Sequence, residues 1–237
     1  MLFFPIVVAV LVGLAVVVAT IVILVAGRRE ADPGAQRTLA RYLGALCFLA
    51  LFTTLFATYF AVAALSDLIV DHDRGESEAR QMLESNNGDH MQGLPRFRTQ
   101  VQPASDDRDY RIAVQSGLVA VAAGVIFVLH RRRRDQLAAR DEFDRSAAWR
   151  VDTTYLYAVC FTAALVIIFA AATGSYGVFR IIAPGVTALH GATTERQHGA
   201  AQLIAYAYLA LAAAAVFVVH WRATSAMAES ADDASRA

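Results

Sequence analysis

Few residues of this chain could do chemistry, and several of them recur at matched positions. Asp67 and Arg180 carry opposite charges, and each is followed by three apolar residues, Leu68-Ile69-Val70 and Ile181-Ile182-Ala183. A charge enclosed in an apolar run is costly in hydrocarbon and turns to a partner or to the interior of a bundle. The two are therefore expected to form a structural or gating ion pair. His130 and His220 each close an apolar run and are followed by arginine, His130 directly and His220 after Trp221. As cations they would favour helix C-termini and anionic headgroups. With Arg131, Arg132, Arg133, Arg134 and Trp221 they make the expected set of lipid-headgroup contacts.

The remaining chemistry is thinner. Ligation of haem by two histidines needs imidazoles facing each other inside a bundle, yet His72, His90, His190 and His198 fall in outer segments or at a boundary. A metal site would need a third ligand, and none can be nominated. Cys47 and Cys160 lie within apolar runs with no cation close in sequence to activate a thiolate, so they read as small hydrophobes. Thr53, Thr54, Gln115, Thr162 and Gln202 are scattered polar groups within apolar runs, and they are the candidate lining of a solute path. No catalytic residue, metal site or cofactor is expected from these residues.

The elements that must position these groups are membrane helices. Of the 237 residues, 57% are hydrophobic and 18% charged, with a mean hydropathy of +0.45. A soluble domain sits nearer about a quarter charged. The apolar residues fall in five blocks, at about Phe3 to Gly27, Tyr42 to Leu65, Ile112 to Leu129, Tyr155 to Phe179 and Ala200 to Val219. Each is close to the roughly 20 helical residues that cross a bilayer core. Hydrocarbon leaves no partner for an unpaired backbone N–H, so all five are expected to be helices. The first has no basic leader and a run too long for a signal peptide, so it is expected to be retained. The net charge is zero, which gives no footing for nucleic acid. All 21 cations are arginine, as expected of a GC-rich bacterial genome.

Arginine placement predicts orientation. Arg28, Arg29, Arg37 and Arg41 flank the first link, and seven arginines lie between the third and fourth blocks. Both links are expected on the cytoplasmic side of the inner membrane, with the N-terminus out and the C-terminus in. The layout is then a leading helix over 1–29, a first hairpin over 30–134 with a long outer loop at 71–110, a cytoplasmic linker over 135–153, a second hairpin over 154–222, and a disordered tail over 223–237. From Asn86 onward the Asn, Gly and Pro content of the outer loop reads as irregular coil.

The two hairpins look like a tandem repeat. Tyr42-Leu43, Cys47-Phe48 and Phe56-Ala57 match Tyr155-Leu156, Cys160-Phe161 and Phe169-Ala170 at an offset of 113, and Phe127-Val128-Leu129-His130 matches Phe217-Val218-Val219-His220 at an offset of 90. Parallel repeats of this kind are related by an axis along the membrane normal. A tyrosine-led helix, a variable outer loop and a second helix ending in His220-Trp221-Arg222 resemble an uncharacterised bacterial integral-membrane domain family of unknown function. The resemblance covers Arg41 to Arg222, is best in the second half, and departs at Arg131, which stands where the second half has Trp221. It implies a helical membrane domain and supplies no activity.

The expected fold is thus an all-α transmembrane five-helix bundle, one leading helix plus two parallel two-helix hairpin repeats. The expected function is that of a non-catalytic accessory or scaffold subunit of a membrane complex, or of a self-assembling membrane protein. Its partners are the lipid bilayer and a membrane protein or further copies of itself. A small oligomeric channel or transporter is the alternative, and a quinone-linked redox subunit the third reading. Convergence of the five scattered polar groups on one cavity would favour transport; back-bonding or outward placement would favour scaffolding.

Overall fold

The computed structural model describes residues 3–26, 36–71, 94–138, 145–184 and 192–236, with side chains for 13–26, 38–70, 108–136, 150–184 and 195–225. These form five helices and no strand: α1 (Phe3–Val25), α2 (Gln36–Asp71), α3 (Leu94–Ala138), α4 (Arg145–Ile182) and α5 (Ala192–Arg236). Four of them, α2 to α5, hold stretches long and apolar enough to cross a membrane, at Thr38–Val70, Arg108–Gln136, Arg150–Ile182 and Glu195–Ser225. The leading helix α1 is 23 residues long, and its described side chains cover only Gly13–Val25.

The helices overrun the apolar blocks. Leu94 to Tyr110, expected as coil, is the first part of α3. Pro95 sits in the first turn, where a missing N–H leaves nothing unpaired. Pro103 cannot donate to the carbonyl four residues back, and the helix continues past it with one rung missing. The tail, expected to be disordered, continues α5 as far as Arg236. It is rich in alanine, the strongest helix former, and it begins on a helix already nucleated upstream. The linker contracts, since α3 ends at Ala138 and α4 begins at Arg145. Residues 72–93 of the outer loop and 139–144 of the linker lie outside the described residues.

The chain divides into two compact units that do not follow the hairpins. The first comprises Met1–Phe56, Val119–Ala170 and Leu209–Ala237, and the second Ala57–Leu118 and Ala171–Tyr208. Each unit is held in its own way. The first has the large apolar core: Ile23, Cys47, Phe48, Phe52, Val151, Val159, Val166 and Leu209 are all under 2% exposed. On α4 the buried positions Val151, Tyr155, Val159, Ala163, Val166 and Ala170 fall three or four apart, one stripe along the helix. Gly44 admits Ile23 at 3.5 Å and Val151 at 3.8 Å from where its Cβ would lie, so α1, α2 and α4 meet there.

The second unit is held by close backbone approach and polar contacts. At Gly177 and Gly199 helices α4 and α5 approach so closely that a Cβ on Gly199 would lie 2.8 Å from the Gly177 carbonyl oxygen and 3.0 Å from Ile181 Cγ1. Small residues permit such packing where helix association rests on van der Waals contact. Tyr59 and Tyr206 add a ring pair with centroids 5.4 Å apart.

The residues matched between the proposed repeats have mixed environments. Cys47 and Cys160 are both buried, but Phe48 is 0% and Phe161 62% exposed, and Tyr155 is 2% and Tyr42 56% exposed.

Gly199→Ala is expected to destabilise the protein by about 1–3 kcal/mol through overpacking. Gly124→Ala, whose new Cβ would meet nothing nearer than Thr54 Cγ2 at 3.9 Å, should be neutral or slightly stabilising. Thermal unfolding of both variants in one detergent checks the contrast.

Candidate functional site

The densest polar cluster of the first unit joins the C-terminal part of α3 to α4 and α5. Asp152 and Tyr155 are three residues apart on α4 and so share a face. Arg134 reaches both: its Nε lies 3.1 Å from Asp152 Oδ1, and its guanidinium carbon sits 4.5 Å from the centre of the Tyr155 ring. The Arg134 and Asp152 side chains are 17% and 18% exposed, so the pair is largely withdrawn from solvent. A guanidinium suits this place because it binds carboxylate oxygens and aromatic faces alike.

Tyr155 carries the cluster on to α5. Its hydroxyl lies 3.4 Å from His220 Nε2, and the two rings meet edge-on with centroids 5.9 Å apart. His220 Nδ1 is 2.8 Å from the Val216 carbonyl oxygen. A carbonyl only accepts, so Nδ1 carries the proton, Nε2 accepts, and the Tyr155 hydroxyl donates. Both ring nitrogens are thereby used within the chain. Thr224 returns its hydroxyl to the His220 carbonyl at 2.9 Å. Arg, Asp, Tyr and His make a set that could move protons, but every group in it already faces another member or a backbone carbonyl. The arrangement fastens three helices together.

The second cluster belongs to the second unit. Arg180 Nε donates to Glu195 Oε2 at 2.7 Å, with side chains 19% and 7% exposed. Arg180 Nη1 donates to Gln202 Oε1 at 3.4 Å, and Gln202 Nε2 donates to the Thr173 carbonyl at 3.2 Å. The chain Glu195–Arg180–Gln202–Thr173 thus stitches α4 to α5 beside the Gly177–Gly199 approach. The carboxylate at Arg180 is Glu195, where the sequence led to Asp67. Asp67 is half-buried on α2 in the same unit and has interactions of its own.

Several other expectations need correction. His220, expected at lipid headgroups, is 6% exposed and bonded to Tyr155. Arg134, expected beside it, turns inward to Asp152, while Arg131, Arg132 and Arg133 are exposed and Trp221 is 52% exposed. His130 is half-buried and spends Nδ1 on the Ile126 carbonyl at 2.7 Å, the same own-helix contact as His220.

The five candidate lining groups are divided between the two units, Thr53, Thr54 and Thr162 in the first and Gln115 and Gln202 in the second. Thr53 and Gln115 are exposed, in the first and second unit respectively. Thr54 donates to the Ala50 carbonyl at 2.8 Å, and Gln202 belongs to the Arg180 cluster. Thr162 is fully buried, with no hydrogen bond to its hydroxyl. Among the described residues no group of three or more His, Cys, Asp or Glu is placed to hold a metal ion.

Asp152, Glu195 and Thr173 were not singled out in the sequence, and Tyr155 entered only as a match between the repeats. The available signal was an acid a few residues ahead of an apolar run, Asp152 before Tyr155 and Glu195 before Ala200. No protein-family model matches the chain, no curated protein matches it, and no solved structure does.

Arg134→Gln is expected to lower unfolding stability by about 2–4 kcal/mol, since it leaves Asp152 withdrawn from water without its cation. Arg132→Gln, on the exposed side of the same helix, should stay within about 0.5 kcal/mol of the parent. Denaturant titration of the two variants in one detergent separates them.

Proposed function

We propose that this chain is a multi-pass membrane protein of non-catalytic role, an accessory or scaffold subunit of a membrane complex. We further propose that it lies in the inner membrane of a bacterium, N-terminus out and C-terminus in. One observation carries the functional reading. Within each unit the main polar cluster is closed, its side chains contacting one another or a backbone carbonyl. Arg134, Asp152, Tyr155 and His220 form one closed set, and Glu195, Arg180, Gln202 and Thr173 another. Thr20, Thr54 and Ser66 each return a hydroxyl to the carbonyl four residues back, at 2.8 Å.

Conduction needs a polar or water-filled lining, and transport loses support when Thr53 and Gln115 are exposed and Thr54 is back-bonded. What the chain offers to other molecules is its exterior, where large apolar side chains such as Leu118, Val121, Ile168 and Leu211 are more than 60% exposed. In a membrane such surface meets lipid or another helix. The segment 71–110 supplies a polar outer stretch on which a partner could dock.

Native mass spectrometry of the protein, extracted gently from its own membranes, tests the reading. A second polypeptide in fixed ratio is the expected result. A monomer carrying lipid alone contradicts it, and a homo-oligomer with nothing else attached contradicts the accessory role and leaves self-assembly.

A further inference from the structure

Helix α3 stands apart from the other crossing helices. Only 11% of its apolar stretch is buried, against 22% for α5, 39% for α2 and 50% for α4. Leu118, Val119, Val121, Val125, Val128 and Leu129 are all exposed, so apolar side chains face outward over about half of its circumference. After His130 come Arg131, Arg132 and Arg133, all exposed. Successive residues of a helix are turned by about 100°, so three in a row fan over roughly 200° of its surface. Arg134 is the member of the run drawn inward.

A second marker lies at the same level. Arg134 of α3 lies over the Tyr155 ring and His220 of α5 meets its hydroxyl, and Trp221 follows His220. Trp221 is 52% exposed and stacks on Phe217 at 5.8 Å with an interplanar angle of 11°. An outward indole with an apolar flank is characteristic of the headgroup level. Arg222, exposed beside it, adds a cation. Of the nearby described carboxylates, Asp152 is held by Arg134, and Asp135 is exposed at the foot of the run. Three outward guanidiniums facing one carboxylate leave an excess of positive charge where hydrocarbon gives way to phosphate.

We propose that Arg131, Arg132 and Arg133, with Trp221 at the same level, form a collar that binds the headgroup phosphates of anionic phospholipids around α3. A guanidinium presents paired N–H donors that match phosphate oxygens. The collar rests on the membrane reading above and adds to it a lipid class and the residues that select it.

The test uses the full-length protein in vesicles of equal phosphatidylglycerol and phosphatidylcholine, with native mass spectrometry of the lipids retained as detergent is exchanged. The parent should retain phosphatidylglycerol over phosphatidylcholine by roughly five-fold or more. The Arg131→Gln/Arg132→Gln/Arg133→Gln variant should lose most of that preference, and Arg134→Gln should keep it. Higher salt should weaken the preference in the parent. Equal retention of the two lipids by the parent, or an undiminished preference in the triple variant, overturns the proposal. An alkaline carbonate wash that strips the protein from the vesicles would sink the membrane reading itself, and the collar with it.

Discussion

Hydrocarbon offers a polar atom no hydrogen bond, and the structure of this chain follows from that constraint. Helices satisfy the backbone. Three devices serve the side chains: hydroxyls of Thr20, Thr54 and Ser66 bond back to their own helix, Gln202 bonds across from α5 to the Thr173 carbonyl of α4, and Arg134 and Arg180 each have a carboxylate. A desolvated charge without its partner costs several kcal/mol, so Arg134 with Asp152 and Arg180 with Glu195 fix which helix faces meet. Packing then follows in two styles. The first unit fills the space between helices with Phe48, Phe52, Ile23 and Leu209, and the second removes the space at Gly177 and Gly199.

Much of this fold was legible in the sequence, because a run of twenty apolar residues has few alternatives to a helix. The helix ends were less legible. Hydropathy marks where hydrocarbon ends, whereas a helix stops where its residues cease to favour it, and the alanine-rich stretch after Arg222 and the residues from Leu94 to Tyr110 stay helical well outside the apolar blocks. Rotation about the helix axis was not legible. A helix that is apolar on every side carries no stripe to say which face is buried. Phe48 and Phe161 occupy matched positions and have opposite exposures, as do Tyr155 and Tyr42.

The same blindness governed the candidate sites. Matching Asp67 to Arg180 used only their places along two helices, and pairing depends on which way each side chain turns. Glu195 lies within reach because α5 returns beside α4 at the Gly177–Gly199 approach, a contact with no periodic signature. His220 looked interfacial because it ends an apolar run, yet its ring turns toward Tyr155. Arg131 to Arg134 form one charge run in sequence and two groups in space, three arginines outward and one inward.

The central claim is that the inward charges act as fasteners between helices. A double-mutant cycle on Arg180→Gln and Glu195→Gln, read by unfolding in a single detergent, tests it most directly. A coupling of about 1–3 kcal/mol is expected, larger than that between Arg180→Gln and Asp67→Asn. Additive losses from Arg180→Gln and Glu195→Gln would contradict it.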